Sequence, residues 1–433
     1  MKLTVVGTGY LGATHAAAMA ELGHEVLGVD VDEIKIERLS VGQIPFYEPG
    51  LPELLGKHVQ SGRLQFTTSV ARAAEFADLH FVCVGTPQKA GEYAADLTYV
   101  DAAFGALATS VRPGAVVVGK STVPVGTAAR LAVLLRSAGA ELVWNPEFLR
   151  EGFAVQDTLR PDRIVMGVDG DAAGRRLEEA YQPILEGADI PVIVTDFATA
   201  ELVKVAANSF LATKISFINA MAEVCEATGA DITQLADAIG HDPRIGHRFL
   251  RAGLGFGGGC LPKDIRGFMA RAGELGVDQA VSFLKNIDEI NLRRRARTVD
   301  LAREMCNGSL AGRRAAILGA AFKPDSDDIR DSPALDVALA IQRQGAAVRV
   351  YDPQAMGNAK DSYPTLAYSP SALEACSDAD VVLHLTEWPE FRALAPDDLA
   401  AIVRERNIVD GRSVLDPATW RAAGWQFRSL GRP

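Results

Sequence analysis

The sequence predicts an α/β fold in three successive parts: an N-terminal Rossmann domain, a central α-helical domain and a C-terminal Rossmann-like α/β domain. Three observations predict it. Strand-like and helix-like segments alternate over residues 1–195, strand runs vanish over 196–301, and the alternation resumes in 302–433. Alternation of this kind implies parallel strands joined by crossover helices.

Each element follows from local pattern. Short apolar runs predict strands over 3–6, 25–29, 79–84, 115–119, 141–144 and 163–167, and an Ala-rich stretch predicts a helix over 13–22. Residues 197–228 contain neither Pro nor Gly, which predicts one long helix ending at Gly229. A glycine-rich stretch at 253–259 interrupts the helical part. Further strands are predicted over 315–318, 346–351, 381–385 and 407–410.

Composition narrows the function. A length of 433 residues is enough for two or three domains. The net charge of -11 argues against a nucleic-acid partner, because phosphate binding needs clustered Lys and Arg. The opening Met-Lys-Leu-Thr-Val-Val-Gly is too short for a secretory signal, and no apolar run reaches membrane-spanning length. A cytoplasmic protein without a membrane partner is expected. Cys83, Cys225, Cys260, Cys306 and Cys376 are odd in number and widely spread, so neither a disulfide framework nor a metal site is expected from them.

Gly7-Thr8-Gly9-Tyr10-Leu11-Gly12 is a G-x-G-x-x-G loop between a predicted strand and helix. Such a loop lets the backbone approach a pyrophosphate, which meets the free N–H groups of the helix N-terminus. Asp30 ends the next strand, placed to accept hydrogen bonds from ribose hydroxyls. Its charge would repel a 2′-phosphate, which favours NAD over NADP. Asp32 competes for this role but lies past the strand.

The most telling segment is Gly253-Leu-Gly-Phe-Gly-Gly-Gly-Cys260-Leu-Pro-Lys-Asp264. Five of seven residues at 253–259 are Gly, which costs conformational entropy and points to close approach by a ligand. Pro262 suits the first helical position. Cys260 would then precede a helix N-terminus beside Lys263, a setting that favours a thiolate nucleophile. Upstream, Lys204 and Asn208 are four apart and share a helix face, flanked by Val203, Val205, Ala206 and Ala207. Taken alone, that pair reads as an ordinary exposed surface.

Other polar motifs follow predicted strands, where open α/β sheets place their ligands. They are Gly85-Thr86-Pro87, Ser121-Thr122-Val-Pro-Val-Gly-Thr127 and Asn145-Pro-Glu147-Phe-Leu-Arg-Glu151-Gly152. In the last part Lys323 and Arg330 offer cations near a loop, and Arg412 follows Asp410-Gly411.

Together these motifs resemble the UDP-glucose 6-dehydrogenase family, within the wider UDP-glucose/GDP-mannose dehydrogenase group. The resemblance rests on residues 7–12, 121–127, 145–152, 256–264 and 321–330, in order along the whole chain. It implies an NAD-binding domain over 1–195, a central helical domain over 196–301 that forms a homodimer, and a UDP-sugar domain over 302–433. It implies four-electron oxidation of UDP-glucose to UDP-glucuronate with two NAD, through a thiohemiacetal and a thioester on Cys260. Lys204, Asn208 and Asp264 would surround the oxyanion and a water, Glu147 would assist thioester hydrolysis, and Thr122 would touch water and cofactor. Gly7, Gly9, Tyr10, Leu11, Gly12, Asp30, Lys35, Thr86, Glu151, Lys263 and Arg330 would contact NAD. Phe148, Leu149, Arg150, Glu151, Phe249, Leu250, Arg251, Ala252, Gly253, Gly257, Lys323 and Arg412 would hold the sugar nucleotide with Lys204 and Asn208, and Arg244 would reach substrate in the neighbouring subunit.

Two positions depart from the family pattern. Gly259 replaces the Ser that commonly precedes the Cys, and Gly85 stands where Pro is more usual. GDP-mannose or a UDP-N-acetylhexosamine is the alternative substrate, with the same chemistry. A simple 3-hydroxyacyl-type dehydrogenase needs neither the cysteine nor a third domain. An NAD-binding regulatory protein would not need Lys204, Cys260 and Asp264.

Overall fold

The computed structural model describes residues 1–433, which group into two compact units. The first is Met1–Ala207 with Arg266–Gly276, and the second is Asn208–Ile265 with Val277–Pro433.

The first unit is built on strands β1 (Lys2–Val6), β2 (Glu25–Val29), β3 (Leu64–Thr67), β4 (Leu79–Val82), β5 (Val116–Gly119), β6 (Glu141–Trp144), β7 (Ile164–Gly167) and β8 (Val192–Thr195). They form one sheet in the order β3-β2-β1-β4-β5-β6-β7-β8. Its inner strands are largely apolar on both faces because helices cover both, with Thr4 and His80 paired to each other in the interior. Leu79, Phe81, Val116 and Val118 enter one core layer, while Val82 and Val117 enter the other. Strand order reverses between β1 and β4, which opens a crevice at their carboxyl ends. The glycine loop follows β1 at that point.

The alternation implied parallel strands throughout, and one pair departs from this. β7 runs antiparallel to β6 and parallel to β8. The Asn145–Gly152 motif and the short helix Ala154–Leu159 occupy the connection, and that helix packs on the helix Tyr10–Glu21. The chain thus stays at the carboxyl end of β6 and re-enters the sheet from there.

The second unit holds strands β9 (Arg314–Leu318), β10 (Ala347–Tyr351), β11 (Ala367–Tyr368), β12 (Val381–His384), β13 (Asn407–Asp410) and β14 (Gln426–Ser429). Their order is β11-β10-β9-β12-β13-β14, with every pair parallel. The switch lies between β9 and β12, so the loops after β9, β12 and β13 share one end of this sheet.

The central part is helical. Phe197–Thr228 is one unbroken helix, as its lack of Pro and Gly predicts. Ile232–Gly240 follows, capped by the Asp231 carboxylate on the Thr233 N–H. Ile218, Ala222, Cys225, Ile232, Leu250 and Ala252 form the core there. The helix Phe283–Met305 closes the part, and the Asn407 amide donates to its Met305 carbonyl at 3.3 Å. No helix is long and apolar enough to cross a membrane.

Candidate active site

In the first unit, Gly9 begins the helix Tyr10–Glu21, which has no side-chain cap and no acidic residue in its first turn. Its N–H groups are thus left for an anion. A Cβ on Gly12 would overlap the Gly7 carbonyl, so this turn admits only glycine there. Asp30 accepts from the Thr8 N–H at 2.8 Å and from Lys35 Nζ at 3.0 Å. Burial pushes its carboxyl up, but the Thr8 N–H and Lys35 outweigh that and hold it below the usual range. An uncapped helix and an ionised acid at the next strand end fit a dinucleotide with free ribose hydroxyls.

Further contacts fix the rim of this crevice. Thr86 Oγ1 donates to the Thr122 carbonyl at 2.8 Å, and Ser121 Oγ to the Val84 carbonyl at 2.6 Å. Glu48, which sequence reasoning missed, is 1% exposed. It accepts the N–H groups of Gly152 and Ala154 at 2.6 and 2.7 Å and binds the Tyr10 hydroxyl. Its only sequence signal is an acid before Pro49-Gly50. Lys120 was also missed: it is buried at the end of a valine run, where it donates to Asn145 Oδ1 at 2.9 Å and to the Tyr181 hydroxyl at 3.3 Å.

Glu147 accepts from Lys204 Nζ at 2.9 Å. Burial raises the Glu147 carboxyl, and the Lys204 charge more than reverses this, leaving it lowered. Glu147 also accepts the Leu149 N–H at 2.6 Å. The Phe148 ring lies under the Arg163 guanidinium at 3.8 Å, with Lys204 Nζ at 5.6 Å. Arg150 makes a two-pronged pair with Asp157. The exposed-surface reading of Lys204 and Asn208 is overturned, since they are only 4% and 8% exposed.

In the second unit, Cys260 immediately precedes the helix Leu261–Glu274, with Pro262 at the second helical position, not the first. It is exposed, whereas the other four cysteines are buried. Burial pushes the Cys83 and Cys376 thiols up to about 12, and raises those of Cys225 and Cys306. Only Cys260 is therefore placed for thiolate chemistry. One turn on, buried Asp264 accepts from Asn208 Nδ2 at 2.6 Å and from Lys263 Nζ at 2.5 Å.

The glycines of the loop before Cys260 have a second cause besides the approach of a ligand: the loop is pressed against protein. Added Cβ atoms would strike Asn291, the Asp331 carbonyl, the Phe322 ring and the Arg330 guanidinium at Gly255, Gly257, Gly258 and Gly259. Gly259 donates its N–H to Asp328 at 3.2 Å, and Asp328 also pairs with Arg330. The missing serine Cβ is thus where Arg330 lies. Gly259→Ser is expected to displace Arg330 at a cost of about 1 kcal/mol in stability, since Arg330 itself is exposed and a solvent-reached ion pair is worth ~0–1 kcal/mol. The melting temperature should hold while NAD affinity falls about tenfold, a loss of ~1.4 kcal/mol. Unchanged NAD affinity by titration calorimetry would remove Arg330 from the cofactor site.

Other predicted substrate residues cluster around this loop. Phe249 takes a left-handed backbone conformation with φ 66°, a strained state for a bulky residue. Leu250 and Ala252 are buried in the helical core, and Gly253 N–H donates to Asn219 at 2.9 Å. Arg412 spends its guanidinium on the carbonyls of Leu385, Gly255 and Phe322 at 2.6, 3.3 and 2.9 Å, so it holds three loops together. Lys323 Nζ lies 5.5 Å from the Phe322 ring. Arg251 is 4.0 Å from Glu387, and Arg244 is 86% exposed and paired with Asp242. The structure therefore leaves Arg244 outside the clusters around Asp264 and Gly259.

Comparison with known proteins matches these parts one by one. Sequence models of the UDP-glucose/GDP-mannose dehydrogenase family match residues 1–185 (NAD binding domain), 198–293 (central domain) and 316–417 (UDP binding domain). The chain belongs to this family. Like other members, it is an NAD-dependent oxidoreductase, and the UDP binding domain marks a nucleotide-sugar ligand. A UDP-glucose 6-dehydrogenase of Rhizobium meliloti strain 1021 is 42% identical over 100% of both chains. The solved UDP-glucose dehydrogenase of Pyrobaculum islandicum is 38% identical with a TM-score of 0.91, covering 100% of this chain and 98% of that one. A UDP-D-ManNAc dehydrogenase structure from Pyrococcus horikoshii is 26% identical with a TM-score of 0.87, covering 100% and 99%.

Proposed function

We propose that the chain oxidises UDP-glucose to UDP-glucuronate through covalent intermediates on Cys260. The observation that carries this is the setting of Cys260: the exposed cysteine of five, at a helix N-terminus, one turn from an Asp264 held by Asn208 and Lys263. An alcohol dehydrogenase that stops at the carbonyl has no use for such a nucleophile.

NAD would supply the hydride acceptor for each of the two oxidations. The glycine loop and Asp30 would hold it, with Lys35, Thr86, Glu151, Lys263 and Arg330 as further contacts. Asp264 and Thr122 position a water that takes the hydroxyl proton as the aldehyde forms. The Cys260 thiolate then adds to the aldehyde, and the adduct keeps the intermediate bound. Lys204 and Asn208, already buried and oriented, stabilise its oxyanion. After the second oxidation, water attacks the thioester with help from Glu147, expelling the thiolate and releasing the acid. Phe148, Leu149, Arg150, Phe249 to Gly253, Gly257, Lys323 and Arg412 frame the sugar nucleotide.

We assign NAD binding to residues 1–195, pairing of two copies to 196–301, and the UDP group to 302–433. Arg244, paired only with its near neighbour Asp242, suits a reach into a second subunit. A cytoplasmic homodimer is the working assembly. Initial rates with UDP-glucose, UDP-N-acetylmannosamine and GDP-mannose test the substrate. UDP-glucose should exceed both by at least tenfold in kcat/KM, and a preference for either other sugar nucleotide overturns the assignment.

Cofactor choice is testable separately. Asp30→Asn keeps the shape of the side chain but removes its charge. It should lower kcat/KM for NAD by roughly 10- to 150-fold, in line with ~1.5–3 kcal/mol for a charged hydrogen bond, and raise the NADP-to-NAD ratio. An unchanged ratio would show that Asp30 does not face the ribose.

A further inference from the structure

Outside the residues assigned above, Asp237, His241 and His247 come together at the end of the helix Ile232–Gly240. Asp237 and His241 are one turn apart on one face. Asp237 Oδ2 lies 3.7 Å from His241 Nε2, and Asp237 Oδ1 lies 3.8 Å from His247 Nδ1. All three donor atoms fall within 4.8 Å of one another. We propose that these side chains form a binding site for a divalent transition ion of the zinc class.

The chemistry and the geometry agree. Two imidazoles and one carboxylate are borderline donors that suit zinc, nickel or copper better than magnesium or calcium. With metal–nitrogen distances of ~2.0–2.1 Å, tetrahedral donors sit about 3.3 Å apart, so the two Asp–His pairs need to close by about half an ångström and the widest pair by about 1.5 Å, within reach of rotations of these exposed side chains. The three side chains are exposed, which leaves a coordination position open to water or another ligand.

A second feature fits the same reading. The His247 ring lies directly against Gly240, where any Cβ would overlap it. Glycine at this point lets the ring come over the helix end and meet Asp237 and His241. The turn between them is tied by the Asp242 carbonyl accepting the N–H groups of Ile245 and Gly246, and by Lys214 on the Ile245 carbonyl at 2.8 Å. The ion would join the helix end to the segment carrying Arg244 and leading to Phe249.

Zinc titration into the tag-free, metal-stripped full chain tests this. One equivalent should bind. His241→Ala, His247→Ala and Asp237→Asn should each weaken binding at least tenfold with no change in melting temperature of the metal-free protein. Gly240→Ala should weaken it too, although every donor remains. Cobalt serves as a spectroscopic probe: its spectrum should lack a thiolate charge-transfer band, which separates this site from Cys260. Binding unaffected by these variants, a thiolate band lost with Cys260→Ala, or no binding at all would each overturn the proposal.

Discussion

Cys260→Ala is expected to cut formation of the acid by about 10³-fold or more, because the covalent steps lose their only nucleophile. None of the other four cysteines replaces it. Cys83 and Cys376 are buried with thiols raised to about 12, and burial also raises Cys225 and Cys306. The side chain is exposed, so the melting temperature should stay nearly unchanged. Cys260→Ser is the sharper variant. Its hydroxyl is a poor nucleophile, so it should stall after the first oxidation, with aldehyde or a trapped adduct on the protein. Mass spectrometry of the quenched reaction reads either species. Normal acid production by either variant would sink the covalent scheme.

Lys204→Met should be nearly as damaging, for two reasons that can be separated. The first is catalytic: removing an oxyanion donor costs about 10²–10³ in kcat. The second is structural. Lys204 and Glu147 are both shielded from solvent and paired at 2.9 Å, so the variant leaves a buried carboxylate without its cation. Breaking such a pair costs ~3–5 kcal/mol. Glu147 titrates below the usual carboxylate range in the intact protein. Its stabilisation is therefore full above the unfolded carboxylate range and is lost as pH falls through the lowered value. The stability gap between the two proteins should narrow on acidification over that interval. Adding Glu147→Gln to Lys204→Met should restore much of the stability and none of the activity. A double variant that recovers activity would show that Lys204 acts only through Glu147.

How much of this was legible in the sequence depended on burial. Interior strands such as β1, β4 and β5 announce themselves, because both faces are covered and most of their residues are apolar. The strands that went unread, β3, β8, β11 and β14, are the four sheet edges. In β3 and β14 polar residues interleave, as in the Gln-Phe-Arg-Ser of β14, and the apolar signal dilutes, whereas β8, Val-Ile-Val-Thr, is apolar and went unread all the same. The same logic governs the site. Motifs such as 7–12 and 253–264 carry a glycine signature because backbones meet closely there. Glu48 and Lys120 carry none, although both are buried and hold the 145–154 segment in place. A buried charge looks like any other charge until its partners from distant segments arrive. Gly259 shows the reverse. Its departure from the family pattern was visible, but its cause, the Arg330 guanidinium in the space of a Cβ, needed the fold.

The central claim is that a cysteine acts between two oxidations, and the stoichiometry of the intact protein tests it most directly. With limiting UDP-glucose and excess NAD, absorbance at the reduced nicotinamide band should reach two NADH per sugar nucleotide, with UDP-glucuronate as the sole sugar product. Cys260→Ser under the same conditions should yield no more than one. One NADH per sugar from the intact protein, or two from the serine variant, would contradict the account.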